Sequence, residues 1–409
     1  METIRYPMFS FNDQGRSQKK CSTSNSFPTY EQNEEESLIP SELLNESEYD
    51  FYPKKMLHYH HPKSQSSTGR QVNTSTIKVT SQKEAQCLFF ETEMKSMMSQ
   101  LKTHYGSICF QNALASLSND DVNSLLIRLC PFLIELMCSH YGNYFIQKLF
   151  QKLNYDQRLL IFSIIQYHFL QLCTDKSGTY SIQSLIDVIK TSEEEKIIQG
   201  LLMQNLLLLI CNENGHHIIQ KIIIDFPEHK REFLNKFIFE NIEQVCMNEY
   251  GALCMVKFII MNSNLNLRMQ LIKALERNIY QLFSNKYSCQ VLLFLMEKYG
   301  FSYSGFIINE IRKNILFFST QNSLTVSLVE KSMELLSKFD NNSYNILSWS
   351  VIKSDKIINK MNQSDNGKVI LLSILKHLTN EQKNYFRSKK VNSVINDQVT
   401  YETIMHSIL

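Results

Sequence analysis

The sequence predicts an all-α protein: a curved solenoid of eight stacked helical units, preceded by a disordered tail. Two observations carry this. From about residue 85, apolar residues recur at three- and four-residue spacing almost to the end of the chain, without an alternating stretch of useful length, which is the pattern of amphipathic helices. Within that region a small residue returns at a nearly fixed interval. Gly106, Gly142, Gly178, Gly215 and Gly251 lie 36, 36, 37 and 36 residues apart. Ser288, Thr325 and Gly367 extend the phase by 37, 37 and 42 residues. A unit of about 36 residues cannot bury its own apolar face, so units of this size must stack on one another.

Taken in order, residues 1–84 are the tail. They hold five of the seven prolines and 31 Ser, Thr, Asn and Gln, with short charge runs at Lys19-Lys20, Glu34-Glu35-Glu36 and Lys54-Lys55. Such a segment buries too little apolar surface to offset its chain entropy. Ser64, Ser66, Ser67 and Thr68 are candidate phosphorylation sites, and His58, His60 and His61 read as a surface cluster. Residues 85–409 are the repeat domain. Each unit is expected to contain two or three helices, with glycine at a tight corner that needs either unusual dihedrals or close backbone approach. The longer last interval contains Asn341-Asn342 and the only tryptophan, Trp349, and is expected to hold a loop insertion. Glu193-Glu194-Glu195-Lys196 reads as a solvated helix start between units. Tyr105, Tyr141, Tyr250 and Tyr287, each preceding the phase residue, read as corner packing.

The second unit shows how a face is built. On a helix of 3.6 residues per turn, Asn143, Tyr144 and Gln147 fall within about 100° of one another, while Phe145 and Leu149 fall opposite. Stacked units would align such polar-aromatic faces into a row. Flat rings and amide edges at regular spacing suit a single-stranded nucleic acid, because rings stack on bases and amides read base edges. Gln111, Gln147, Gln183 and Gln220 keep one phase, five residues after the glycine, and packing alone has no use for a fixed amide.

The segments from Pro131 to Met137 and from Gly142 to Phe150, with Leu328-Val329-Glu330-Lys331, resemble repeats of the Pumilio (PUF) family. The resemblance spans residues from about 90 to 409 and is closer in units 1–4 than in units 5–8. It implies a right-handed solenoid of eight repeats that binds single-stranded RNA about one base per repeat, antiparallel to the chain. Two side chains of each repeat would contact a base edge, and the residue after the first would stack between bases. By resemblance, Ser107 and Gln111, with Ile108 between bases, would read adenine; Asn143 and Gln147, with Tyr144, uracil; Thr179 and Gln183, with Tyr180, adenine. His216 and Gln220, with His217, leave the base of unit 4 open. The implied RNA site ends in A-U-A. Units 5–8 depart from the pattern, with Ala252, Leu253 and Val256, then Cys289, Gln290 and Leu293, then Val326, Ser327 and Glu330, then Lys368, Val369 and Leu372. Of the family's readers for a 5′ U-G-U only Glu330 survives. This half is expected to bind RNA by shape and phosphate or to take a protein partner.

Other chemistry finds little support. The ten cysteines show no metal-type spacing and read as reduced thiols, mostly packed as small apolar groups. No cofactor, metal site or catalytic constellation is expected, and adjacent His216 and His217 are explained by the repeat. No apolar run reaches the ~20 residues of a membrane span. The net charge is +2, and the array carries 32 Lys and Arg against 29 Asp and Glu, so nucleic-acid binding would need charge gathered on one face. The leading expectation is therefore a monomeric, cytoplasmic protein that binds messenger RNA in 3′ untranslated regions to control translation or decay, with regulatory protein partners held by the tail or by units 5–8. The alternatives are a ribosomal-RNA binder in the nucleolus and an armadillo-like protein scaffold.

Overall fold

The computed structural model of the chain describes residues 81–318 and 323–388; the expected tail, with its histidine and serine clusters, lies outside them except for residues 81–84. The first helix, Gln82–Gln86, begins inside that expected tail, closed by a capping box in which Ser81 and Glu84 bond each other's backbone. No strand occurs among the described residues.

One row of helices organises the molecule: α1 (His104–Ala115), α2 (Gly142–Phe150), α3 (Gly178–Asp187), α4 (Gly215–Asp225), α5 (Glu249–Met261), α6 (Lys286–Tyr299), α7 (Ser323–Phe339) and α8 (Asp365–Lys376). Each packs on the next. A short helix precedes α1 to α6 and α8, from Met94–Leu101 in the first unit to Asp355–Asn362 in the last. An outer helix follows, such as Tyr155–Ile165 after α2 and Ser192–Met203 after α3. Helix Phe301–Phe318 fuses the outer helix of unit 6 with the short helix of unit 7, and Asn314 (φ −126°, ψ 30°) marks the break. The long interval before Gly367 holds no loop insertion. Asn341–Ile352 is itself the outer helix of unit 7, and the extra residues lie in the 17-residue α7 and the eight-residue Asp355–Asn362.

The phase glycines are explained by contact, not by dihedrals. Among the described residues the one glycine at positive φ is Gly300, outside the phase. At Gly178 and Gly215 an added Cβ would stand 2.5 and 2.9 Å from the carbonyl oxygens of Leu172 and Leu209; at Gly106, Gly251 and Gly367 it would collide with those of Gln100, Val245 and Met361. In each case the carbonyl belongs to the short helix six residues earlier. Ser288 and Thr325 meet the same constraint with small, fully buried side chains whose hydroxyls bond nearby carbonyls, Leu282 O for Ser288 and Phe283 O for Thr325.

A capping residue recurs three positions before the phase residue. Thr103, Ser139, Asp175, Asn212, Asn248, Asn285 and Ser364 each accept from the backbone N–H at that position, over 2.7 to 3.4 Å. An oxygen there satisfies donors that the start of each row helix would otherwise leave orphaned.

The core runs between the helix layers. Phe89, Phe110 and Phe145 meet at ring separations of 5.2 to 6.4 Å at its N-terminal end. Phe145 and Leu149 are fully buried, on the side of α2 that the sequence assigns to packing. Cys173, Cys246, Cys254 and Cys289 are buried among apolar groups, whereas Cys87 is exposed. Polar contacts one repeat apart sew the outer layer. Arg158 pairs with Glu194 across units 2 and 3, Lys230 with Glu195 at 2.5 Å, and Arg128 donates to the carbonyls of Phe90 and Thr92. Glu194 is thus not a solvated member of its acidic run: it is fully buried and caps Ser192–Met203 while holding Arg158.

Candidate nucleic-acid interface

Position 1 of each row helix's edge pair directly follows the phase residue, and position 2 lies four residues on. In the first three units the two side chains bond each other. Gln111 Nε2 donates to Ser107 Oγ (3.0 Å), Gln147 Nε2 to Asn143 Oδ1 (2.8 Å) and Gln183 Nε2 to Thr179 Oγ1 (3.5 Å). The first member of each pair is buried and anchored below. Ser107 Oγ donates to Tyr141 O (2.8 Å) and Thr179 Oγ1 to Asn214 O (3.2 Å), each reaching the next unit. Asn143 Nδ2 donates to Ser139 O (2.8 Å) and His140 O (2.9 Å), which fixes its Oδ1 toward Gln147. Gln111, Gln147 and Gln183 therefore have a local structural use, beyond the base reading that the sequence suggests. A primary amide carries two donors and a two-lone-pair acceptor, so the bond to the first member orients the group without exhausting it.

Between these two positions stands the residue to which the family resemblance assigns stacking. Ile108, Tyr144 and Tyr180 are 38%, 40% and 46% exposed. Unit 4 differs. His216 is buried, its Nδ1 lies 3.1 Å from Asn212 O, and its ring packs at 3.9 Å on His217 and 5.1 Å on Tyr250 of the next unit. A carbonyl can only accept, so Nδ1 carries the proton. Burial, reinforced by His217, lowers the His216 pKa to about 4, so the ring is neutral at physiological pH. Gln220 is buried beside it, and His217 is the half-exposed ring of the pair.

Units 5–8 place different chemistry at these positions. Ala252, Val256, Cys289 and Val326 are buried, while Leu253, Gln290, Leu293, Ser327 and Leu372 are half-buried. Glu330 is exposed, but neighbouring groups partly desolvate its carboxyl and raise its pKa, against the pull of Lys376. Along the start of the row, His104, Tyr105, His140 and Tyr141 form a chain of rings 4.6 to 5.6 Å apart. Tyr141, Tyr250 and Tyr287 pack at corners as expected, but Tyr105 is 76% exposed, and among the described residues no unit precedes it. Among the described residues no cluster of three or more His, Cys, Asp or Glu is placed to hold a metal ion, and no helix is long and apolar enough to cross a membrane.

A row of stacked helices that carries a bonded polar pair and an exposed residue between its members in each of the first three units is the arrangement of a helical repeat protein. A family model described as the Pumilio-family RNA binding repeat matches residues 133–166, 168–202 and 205–234, which are units 2, 3 and 4. Among curated proteins, the chain is similar to Pumilio homolog 9 of Arabidopsis thaliana (25% identical over 177 residues, 42% of this chain and 31% of that protein). It is similar also to the Pumilio domain-containing protein C4G8.03c of Schizosaccharomyces pombe, 32% identical over 142 residues, 34% of this chain and 18% of that protein. The aligned stretch spans about a third of the length of the first of these relatives. The fold matches the Puf4 RNA-binding domain bound to an HO endonuclease RNA 3′ UTR recognition sequence, with a TM-score of 0.62, 18% identity and coverage of 78% of this chain and 100% of that one. It matches the RNA-binding domain of yeast Puf5p bound to SMX2 RNA at 0.61, with 20% identity, 76% of this chain and 95% of that one. Units 2, 3 and 4 are thus Pumilio-family repeats, and the rest of the chain is similar to PUF proteins in fold.

Proposed function

We propose that the row face of α1 to α8 binds single-stranded RNA sequence-selectively, with units 1–4 at the 3′ end of the site. The observation that carries this is the oriented edge pair recurring in α1, α2 and α3 with a stacking residue beside each, Tyr144 and Tyr180 above all. A preorganised amide loses little freedom on meeting a base edge, and an exposed ring gains ~1–3 kcal/mol by stacking on a base. By family resemblance the site ends in A-U-A and lies in messenger RNA 3′ untranslated regions, where a cytoplasmic, monomeric protein of this kind would repress or destabilise the message through recruited partners. Glu330, Gln290 and Ser327 would face the upstream nucleotides.

Tyr144→Ala and Tyr180→Ala test the reading. Each is expected to weaken binding of an RNA ending in A-U-A by ~1–3 kcal/mol while the helical circular-dichroism signal stays at the wild-type level. Wild-type affinity in both variants would refute it.

A further inference from the structure

The row divides between units 4 and 5. In units 1–3 both edge positions carry polar atoms, and the pair is hydrogen-bonded. In unit 5 they are Ala252 and Val256, 1% and 4% exposed. In unit 6 they are Cys289 and Leu293. Cys289 is fully buried, and its thiol turns into the core, 3.4 Å from Thr325 Oγ1 and 3.6 Å from Phe283 O. In unit 8 they are Lys368, whose ammonium bends back to Asp365 at 3.5 Å, and the half-buried Leu372. The position between them nevertheless stays partly accessible: Leu253 in unit 5 and Gln290 in unit 6 are half-buried, and Val369 in unit 8 is 39% exposed.

We infer that units 5, 6 and 8 hold upstream nucleotides by their faces and do not distinguish one base from another. This deepens, and rests on, the RNA-binding proposal. A base edge pressed against Ala252, Val256, Leu293 or Leu372 loses its water without gaining a partner, and the Lys368 ammonium beside Asp365 is a flexible point charge that meets the acceptors every base carries. All four bases suffer that loss, so it selects none. Packing on a base face is equally tolerant, since every base has one. The ligand class is thus a single-stranded RNA with a short defined element at its 3′ end, read by units 1–4, preceded by nucleotides whose identity at the places facing units 5, 6 and 8 is free. A strict upstream U-G-U, the pattern suggested by family resemblance, is not required. Unit 7, with the carboxylate of Glu330 on one edge position and buried Val326 on the other, lies outside this assignment.

The test is competition binding of the full chain against eight-nucleotide RNAs ending in A-U-A, with each base changed in turn. Changes opposite units 1–3 are expected to lower affinity on the order of ten- to a hundredfold. Changes opposite units 5, 6 and 8 are expected to move it by less than about threefold. A tenfold loss at any of those three places overturns the inference while leaving base reading intact. Equal affinity for every RNA, including those altered in A-U-A, overturns the base-reading proposal itself, and the inference with it.

Discussion

Glu194→Gln is expected to destabilise the array by about 3–5 kcal/mol, the range for removing one partner of a buried ion pair. In the structure Glu194 is fully buried and Arg158 nearly so. Its carboxylate accepts from Arg158 Nε (2.5 Å) and Nη2 (3.2 Å), from the N–H groups of Lys190 (3.1 Å) and Thr191 (3.0 Å), and from Thr191 Oγ1 (2.9 Å). Burial alone would raise its pKa. The bonds from Arg158, Lys190 and Thr191 overcome that and hold it at about 2. The fall from about 4.5, the ordinary value, corresponds to about 3 kcal/mol, which agrees with the ion-pair range. Because the folded pKa is depressed, this stability is present above about pH 4.5 and is lost as pH falls toward 2. Urea unfolding of the wild type and Glu194→Gln at pH 7 measures the cost. The double variant Arg158→Leu, Glu194→Leu is expected to recover part of it, since aliphatic groups replace the ion pair at little loss while the Lys190 and Thr191 N–H groups still lose their acceptor. A single variant within about 0.5 kcal/mol of wild type, or a double variant no better than the single, would refute the reasoning.

Three further outcomes follow from other residues. His216 titrates at about 4 in the folded chain and near 6.5 when unfolded, so the unfolded chain binds more protons between these values. Stability should therefore fall by about 2 kcal/mol from pH 7 to pH 5, and urea midpoints of His216→Asn should show a correspondingly weaker pH dependence. Gly251→Ala drives a Cβ into the carbonyl of Val245 and should cost about 1–3 kcal/mol, whereas Gly200→Ala, in an outer helix with nothing within 4 Å, should gain about 0.5–1 kcal/mol; thermal melts separate the two. Asn143→Ser with Gln147→Glu should shift the base preferred by unit 2 from uracil to guanine in a randomised-RNA selection, and a selection that still returns uracil would contradict the assigned edge pair.

The period was legible because one steric demand repeats: wherever a short helix's carbonyl meets the next row helix, the residue there must be small. The capping oxygens three positions earlier, from Thr103 to Ser364, carry the same period. The exposure of Tyr144 was legible from helix geometry, since the face it shares with Gln147 lies away from the buried Phe145 and Leu149. What could not be read was the depth of the edge positions. A sequence places Asn143 and Thr179 on a polar face, but only the packed neighbours show that both sit below the surface with their polar atoms anchored to backbone carbonyls. Glu194 escaped for the same reason. Its partner Arg158 lies 36 residues away, one full repeat, and within Glu193-Glu194-Glu195 nothing local distinguishes the buried glutamate from its neighbours.

The measurement closest to the central claim is the affinity of the full chain for a short RNA ending in A-U-A and for a scrambled control, each at two salt concentrations. Base reading by an oriented row predicts tighter binding of the first RNA at both concentrations, with both affinities falling as salt rises because phosphate contacts release counterions. Equal affinity for the two RNAs, or no binding of either, would contradict it.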